Sequence, residues 1–397
     1  MRKFPTGGPL AVLLSVGLAA CAGIEGAHAT PERDHPYRDS LTRLRRSPFT
    51  REVAETLRAA LPQHPESWHY GGASTEAIGN QTVRDPEAEM EARGTDIPEE
   101  VHLYLDHYGV ADQAADWHIG MVHVSGTTAP AGFQVAVQSI LPADPDPTAP
   151  TVLFIHGYFD HTATNRYAIE ELIDRGYRVV AMDMPGHGLS TGQRGHIDDF
   201  GDYGRAVHAA IEAIREGRIT GIDPDTRLAA IAHSTGASAV IEYLETGGQA
   251  FEQLIFVAPL VRIVAYPLAR VGIELTSDIV DHLPRLVSGG SSNDAFVEFA
   301  REHDPLSIDE TSLKWAEAYI EWEEERRTIE ERNIPLLLVQ AGRDSTVDAD
   351  YNTEYLRRFF SNTELIEFEN ARHNVFNEPA ELRPGLYDRI NSFLLER

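Results

Sequence analysis

The stretch Arg227-Leu-Ala-Ala-Ile-Ala-His-Ser-Thr-Gly236 passes from an apolar run into a helix-prone segment, with Ser234 at the junction. Small residues, Ala232 and Gly236, lie two positions before and two positions after this serine. A sharp turn from a strand into a helix exposes the serine hydroxyl. Such a turn requires small residues at these two positions, because the backbone and its neighbours approach closely there. Glycine is usual at both positions, so Ala232 departs by one methyl group. Alone the pattern is weak, because a serine before a helix is ordinarily an N-cap.

Short apolar runs recur through the chain and alternate with segments of helical character, which is typical of a parallel sheet covered by helices on both faces. Two earlier runs with alternating side chains indicate antiparallel edge strands. The predicted antiparallel strands are Trp117–Val124 and Phe133–Leu141, and the parallel ones are Thr151–Ile155, Arg178–Met182, Arg227–Ile231, Gln253–Val257, Pro335–Val339 and Glu364–Phe368. The sequence therefore predicts an α/β fold.

One interval breaks this alternation. Between Pro259 and Arg332 lie about seventy residues, where a crossover between parallel strands needs roughly a dozen. We therefore predict an insertion at 259–332 within an α/β core of residues 111–258 and 333–397. The end of the insertion, Glu321–Arg332, has the charge pattern of an exposed helix.

An acid and a histidine follow Ser234 in the order that such strand-to-helix serines use. Asp344 comes directly after the predicted strand Pro335–Val339, where a carboxylate could orient an imidazole. Asp348 and Asp350 are alternatives to it. His373 follows the last predicted strand and is the only histidine beyond Asp344. The sequence thus predicts a nucleophile, an acid and a base that meet at one sheet edge.

Two further segments carry a family resemblance. Leu153-Phe-Ile-His-Gly-Tyr-Phe-Asp-His161 resembles the His-Gly oxyanion loop of α/β-hydrolases. Asp183-Met-Pro-Gly-His-Gly-Leu-Ser-Thr-Gly192, continued by Arg194-Gly-His196, resembles the monoacylglycerol lipase and lysophospholipase branch, which includes serine aminopeptidase S33-type hydrolases. The resemblance runs from about Trp117 to the C-terminus. It implies a serine carboxylic ester hydrolase with an acyl-enzyme intermediate.

The resemblance also implies roles for individual residues. The backbone N–H groups of Tyr158 and Thr235 correspond to the oxyanion donors, and an Asp-x-x-Val spacing favours Asp344 over its rivals. The apolar stretch Leu260–Leu286 takes the place of a cap over the site. Side chains expected to line an acyl pocket are His233, Val261, Ile263 and Tyr266, although the apolar ones could equally serve to pack the cap. His156 and His187 are expected to shape loops.

Other functions stay open at this point. A serine peptidase or an acyltransferase would use the same residues, and a surface-binding lipoprotein could retain them without activity. The expected substrate is a small-molecule or lipid ester, and the reaction requires no cofactor. No metal site is expected, because the sequence has neither H-E-x-x-H nor Cys-x-x-Cys spacing. The oligomeric state is not predicted.

The N-terminus predicts export. Arg2 and Lys3 precede a short apolar run, and Leu18-Ala-Ala-Cys21 resembles a bacterial lipoprotein signal. We expect residues 1–20 to be a signal peptide and Cys21, the only cysteine, to carry the lipid anchor. The protein would then be attached to a membrane of the bacterial cell envelope. The outer membrane is favoured, because the residue after the cysteine is Ala22 and not the aspartate that resembles an inner-membrane retention signal.

The remaining N-terminal residues and the overall charge complete the prediction. Residues 21–110 are expected to be a tether and N-terminal extension, mostly solvated, with a helix-like stretch at Phe49–Leu61. The formal net charge of -28 argues against nucleic acid as a partner.

Overall fold

The strands predicted on both sides of Ser234 form one mixed sheet in the computed structural model, which describes residues 49–61, 68–71, 98–110, 114–277, 279–285, 290–325 and 330–396. The strands are β1 Trp68–Gly71, β2 Asp116–Val124, β3 Phe133–Leu141, β4 Thr151–Ile155, β5 Val179–Met182, β6 Leu228–His233, β7 Phe251–Val257, β8 His282–Pro284, β9 Glu310–Ser312, β10 Leu336–Ala341 and β11 Thr363–Phe368. Their bounds confirm the predicted alternation.

Within the described residues the main sheet has nine strands in the order β1-β2-β3-β5-β4-β6-β7-β10-β11. The strands from β5 to β11 in this order are parallel, whereas β1, β2 and β3 are antiparallel to their neighbours. Every residue of β4, β6 and β10 is buried, as expected for parallel strands covered on both faces. The predicted α/β-hydrolase fold is therefore confirmed.

Helices cover both faces of this sheet. They are α1 Arg51–Ala60, α2 Glu99–Tyr108, α3 Arg166–Asp174, α4 Gly201–Arg215, α5 Thr235–Glu245, α6 Tyr266–Thr276, α7 Asp294–Glu298, α8 Leu313–Glu325, α9 Ala349–Phe359 and α10 Leu386–Leu395. Side chains of β4 alternate between two buried clusters: Leu153 and Ile155 join the cluster of α4, α5, α8 and α9, while Val152 and Phe154 join that of α3 and α10. None of the described helices is long and apolar enough to cross a membrane.

Parts of the N-terminal extension differ from the expected solvated spacer. Leu57 of α1 and Tyr104 of α2 are almost fully buried in the same cluster as α3 and α10. Their apolar faces gain more from burial than from solvation, so these two helices belong to the core. The proposed signal peptide at 1–20 and Cys21 lie outside the described residues.

The insertion forms a small unit above the sheet edge. It contains α6, α7, α8 and the antiparallel pair of β8 and β9. Its last helix begins earlier than predicted, at Leu313, and buries Trp315, Tyr319 and Trp322. The expectation of an exposed helix over Glu321–Arg332 was therefore wrong for its described part, because one face of this charged segment is aromatic.

Candidate active site

Ser234 lies at the turn between β6 and α5 in a strained backbone conformation. Its φ of 50° and ψ of −115° are rare for a residue with a side chain. Hydrogen bonds hold it from both sides: its N–H donates to Val257 O at 3.0 Å, and its carbonyl accepts from Ala237 N and Leu260 N at 3.0 Å each. Such over-determined contacts are what allows a costly backbone conformation to persist.

The two flanking small residues have different reasons to be small. A Cβ on Gly236 would lie 2.5 Å from Ile155 O and 2.7 Å from His156 O, so only glycine fits there without movement of the backbone. Ala232 is completely buried in β6, and its methyl group is accommodated in the core. The departure from glycine at 232 therefore leaves the turn intact.

The structure brings together the three side chains that the sequence predicted. His373 Nε2 lies 3.0 Å from Ser234 Oγ, and His373 Nδ1 lies 2.8 Å from Asp344 Oδ2. Asp344 Oδ1 accepts hydrogen bonds from the N–H groups of Thr346 and Val347. With Nδ1–H donating to the carboxylate, Nε2 is left to accept the serine proton.

The rival acids lie elsewhere. Asp348 accepts a hydrogen bond from Tyr351 N and caps the first turn of α9. Asp350 is exposed in that turn.

Burial and the neighbouring charge shift the pKa values of His373 and Asp344 in opposite directions. Burial by itself would lower the pKa of His373, but the Asp344 carboxylate facing Nδ1 outweighs it and raises the pKa above the ordinary histidine value. Burial would raise the pKa of Asp344, and the His373 ring together with two backbone N–H donors lowers it instead. Asp344 is therefore ionised beside an imidazole that binds a proton more tightly than a free histidine.

The loop after β4 adjoins the serine. A Cβ on Gly157 would lie 3.3 Å from Ser234 Cβ and 2.8 Å from His233 Nδ1, so the backbone here runs directly against the turn. Tyr158 follows in this loop, and Thr235 is the first residue of α5. Across the described part of the chain, neither of their N–H groups donates to a protein acceptor. Both amides are thus available beside Ser234.

The residues predicted to line a pocket have other contacts. His233 is 2% exposed, donates from Nε2 to His373 O at 3.1 Å and lies with Nδ1 3.4 Å from Asp160 Oδ2. It therefore supports the loop of His373, because its Nε2 is bonded to that loop and its Nδ1 faces Asp160.

The cap residues of the prediction also pack inward. Val261 and Tyr266 belong to the buried cluster that includes Tyr319, and Ile263 N donates to Tyr319 OH. Of the two alternatives left open for these side chains, packing of the cap onto the core describes Val261 and Tyr266, which are buried, whereas Ile263 is only partly buried.

Two histidines shape loops, as the sequence interpretation favoured. His156 accepts a hydrogen bond from Met184 N at 3.0 Å and contacts Gly157 O at 2.7 Å, while His187 contacts Pro185 O at 2.9 Å. Both are fully buried, and burial lowers the pKa of each, that of His187 to about 3.

The sequence interpretation missed Glu378, which fixes the loop of His373. Its side chain is 1% exposed and accepts hydrogen bonds from Arg372 N at 2.7 Å and from Ser292 N of the cap at 2.9 Å. Burial raises the pKa of this carboxyl group. Nothing in a single sequence distinguishes it from the exposed glutamates nearby, because its burial depends on contact with Ser292, which is distant in the sequence. No cluster of metal-ligating side chains is found among the described residues.

Comparison with known proteins identifies a family and several relatives of this chain. The family model for Serine aminopeptidase, S33 matches residues 146–380, more than half of the chain. Phospholipase YtpA of Bacillus subtilis is 26% identical over 238 residues, covering 57% of this chain and 89% of the relative. A monoglyceride lipase homolog of monkeypox virus is 25% identical over 252 residues, covering 62% of this chain and 89% of the relative.

Solved structures share the fold. A soluble variant of monoglyceride lipase from Saccharomyces cerevisiae superposes with a TM-score of 0.57 at 17% identity, covering 69% of this chain and 95% of that one. Monoacylglycerol lipase from Paleococcus ferrophilus gives a TM-score of 0.54 at 22% identity, covering 65% and 97%.

Proposed function

Because the chain belongs to the serine aminopeptidase S33 family of α/β-hydrolases, we propose that it is a serine carboxylic ester hydrolase of the lysophospholipase or monoacylglycerol lipase type. The observation that carries the proposal is the continuous contact from Ser234 Oγ through His373 to Asp344. Relatives named phospholipase and monoglyceride lipase support an acyl ester as the substrate.

In the proposed reaction His373 Nε2 takes the Ser234 proton as the hydroxyl oxygen attacks the ester carbonyl. Asp344 holds the imidazole in the required tautomer and balances its charge. The amides of Tyr158 and Thr235 stabilise the oxyanion, at about 3 kcal/mol for each donor. The alcohol leaves with the proton from His373, and water then hydrolyses the acyl-enzyme with His373 again as the base.

Aromatic rings hold the loop of the proposed oxyanion donor against the cap. The Tyr158 ring lies 4.0 Å from the Trp315 ring of the cap, centroid to centroid, and Phe159 follows in the same loop. Tyr158 and Trp315 are buried against each other, so these rings fix the position of the loop, and the choice of an acyl ester rests on the relatives named phospholipase and monoglyceride lipase.

Labelling of the full chain with a fluorophosphonate probe tests the serine chemistry. Label is expected on the parent and on the control variants Ser392→Ala and His208→Ala, both at exposed positions. It should be lost in Ser234→Ala and nearly lost in His373→Ala. Label that persists in Ser234→Ala would refute the assignment of the nucleophile.

A panel of p-nitrophenyl acyl esters and matched anilides then tests the reaction class. We expect ester turnover to exceed amide turnover. Faster amide turnover would support a peptidase, and acyl transfer to added alcohol in preference to water would support an acyltransferase. If the parent protein bound a ligand but hydrolysed none of these substrates, the result would support the non-catalytic alternative.

We also propose export and anchoring at Cys21 in the bacterial cell envelope, on the evidence of the N-terminal sequence alone. A single acylated N-terminal cysteine would hold the enzyme at a membrane, where lipid esters are concentrated. Growth with radiolabelled palmitate should label the parent and leave Cys21→Ser unlabelled and in the soluble fraction. Equal labelling of both would contradict the anchor site.

A further inference from the structure

Helix α2 lies outside residues 146–380, which match the family, yet its last residue reaches the loop that follows β4. We propose that Tyr108 is a positioning residue for the amide of Tyr158, acting through Asp304 of the cap and His161 of the loop. The proposal rests on the proposed function, because it concerns the oxyanion donor of that reaction. It makes the N-terminal extension part of the active-site structure.

Asp304 is the centre of this contact. Its Oδ1 accepts hydrogen bonds from Tyr108 OH at 2.6 Å and from Leu306 N at 2.9 Å, and both carboxylate oxygens lie 3.2 Å from His161 Nε2. The side chains of His161 and Asp304 are each 1% exposed. A carboxylate removed from water requires such partners, and loss of any one of them leaves the buried charge less fully compensated.

The electrostatics support a charged pair. Burial would lower the pKa of His161, but Asp304 raises it overall. Burial would raise the pKa of Asp304, but His161 and the other donors lower it. An imidazolium and a carboxylate in contact fix the direction of the His161 side chain, and through it the backbone of the loop.

His161 is one of two fixed points around the Tyr158 peptide, the other being the Tyr158 side chain, whose OH donates to Gly195 O and whose ring packs against Trp315. Tyr158 precedes His161 by three residues. Between them Asp160 N donates to Gly157 O at 3.1 Å, and the Asp160 side chain makes two longer contacts, at 3.4 Å to His233 Nδ1 and 3.4 Å to Asn374 Nδ2. The fixed point at His161 therefore limits the rotation of the peptide that carries the Tyr158 N–H. An oxyanion donor acts through its direction and distance, so small rotations reduce transition-state stabilisation.

Tyr108 is itself held rigidly. Its ring makes edge contacts with Phe49 at 5.7 Å and with His161 at 5.1 Å, and its backbone carbonyl accepts from Arg166 at 2.8 Å. The neighbouring His107 contacts the carbonyl of His303, next to Asp304, at 3.0 Å. The last two residues of α2 thus both form contacts with the cap.

The test is Tyr108→Phe, which removes one hydroxyl and keeps the ring. The matched control is Tyr177→Phe: Tyr177 is also buried and loses one hydroxyl hydrogen bond, to Asn391 Oδ1 at 3.0 Å, on the far helix α10. We expect the urea midpoint to fall in both variants, and further in Tyr108→Phe, because its partner is a buried carboxylate. Tyr108→Phe should lower kcat about tenfold with KM within about twofold, whereas the control keeps its kcat.

A boronic acid that forms a tetrahedral adduct with the serine separates positioning from general loosening. Its affinity should fall in Tyr108→Phe by the same factor as kcat/KM, because both depend on the oxyanion donor. Combination with Asp304→Asn should add little further loss, since Tyr108 acts through Asp304.

Three outcomes overturn the proposal. An unchanged kcat in Tyr108→Phe, or an effect fully additive with Asp304→Asn, refutes the positioning role while the ester hydrolase stands. A parent that neither hydrolyses acyl esters nor takes the fluorophosphonate label refutes the proposed function, and this inference with it.

Discussion

Gly236→Ala is the most direct test of the turn that presents Ser234. The added Cβ would lie 2.5 Å from Ile155 O, whereas a relaxed contact between carbon and a carbonyl oxygen is about 3.3 Å, so something must move by about 0.8 Å. β4 is hydrogen-bonded on both sides, to β5 and β6, and resists displacement. Helix α5 therefore moves, together with Ser234 and the amide of Thr235.

Such a displacement predicts two measurable losses. Overpacking of this kind costs about 2 kcal/mol in the free energy of unfolding. Misplacement of the nucleophile by close to 1 Å lowers kcat/KM by about 100-fold. Urea denaturation measures the first and p-nitrophenyl ester hydrolysis the second.

The control is Gly272→Ala in α6, where an added Cβ has no neighbour within 4 Å. It should leave kcat/KM unchanged and increase the free energy of unfolding slightly, by up to about 1 kcal/mol from helix propensity. If Gly236→Ala retained full activity and stability, the close approach of α5 to β4 would not be what fixes the turn.

Three further predictions concern charge and packing. His373 acts as a base only when neutral, and Asp344 raises its pKa, so kcat/KM should rise with pH through an apparent pKa above about 6.5. Asp344→Asn should move that midpoint to lower pH. Initial rates between about pH 5 and 9 measure the midpoint, and an unmoved midpoint would contradict the pairing. Arg262→Met should lower the free energy of unfolding by about 3 kcal/mol, measured in urea, because it leaves the buried Glu323 carboxylate without its cationic partner. Phe49→Ala should cost a similar amount, about 3 kcal/mol, by opening a cavity between the extension and the core, whereas a solvated spacer would show no change.

The part of the fold that the sequence predicted is the part in which local pattern and tertiary environment agree. A strand buried on both faces, such as β4 or β10, must be a continuous apolar run, and such a run is readable without a structure. Ser234, Asp344 and His373 were found for a related reason. Ser234 follows directly after β6, and Asp344 and His373 lie in the loops after β10 and β11; the carboxyl ends of parallel strands meet at one edge.

The cap and the extension show why the remainder could not be predicted. Val261 and Tyr266 are apolar in a manner that suits either a pocket wall or a packed core, and only the position of α8 decides between them. Tyr104 and Leu57 lie in segments whose composition as a whole is polar. The composition of the whole segment does not reveal that a few of its side chains are buried. Composition therefore predicts solvation poorly where a short amphipathic helix can find an existing apolar surface.

The site also depends on contacts that cross from the cap to both sides of Ser234. On one side Asp304 holds the loop of Tyr158, and on the other Ser292 donates to Glu378, which holds the backbone next to His373. One part of the cap, between Ser292 and Asp304, thus contacts both the loop of the proposed oxyanion donor and the loop of the base. Because strain of about 1 to 3 kcal/mol at a residue such as Ser234 persists only where surrounding contacts over-determine it, the cap is part of what keeps the serine turn in place.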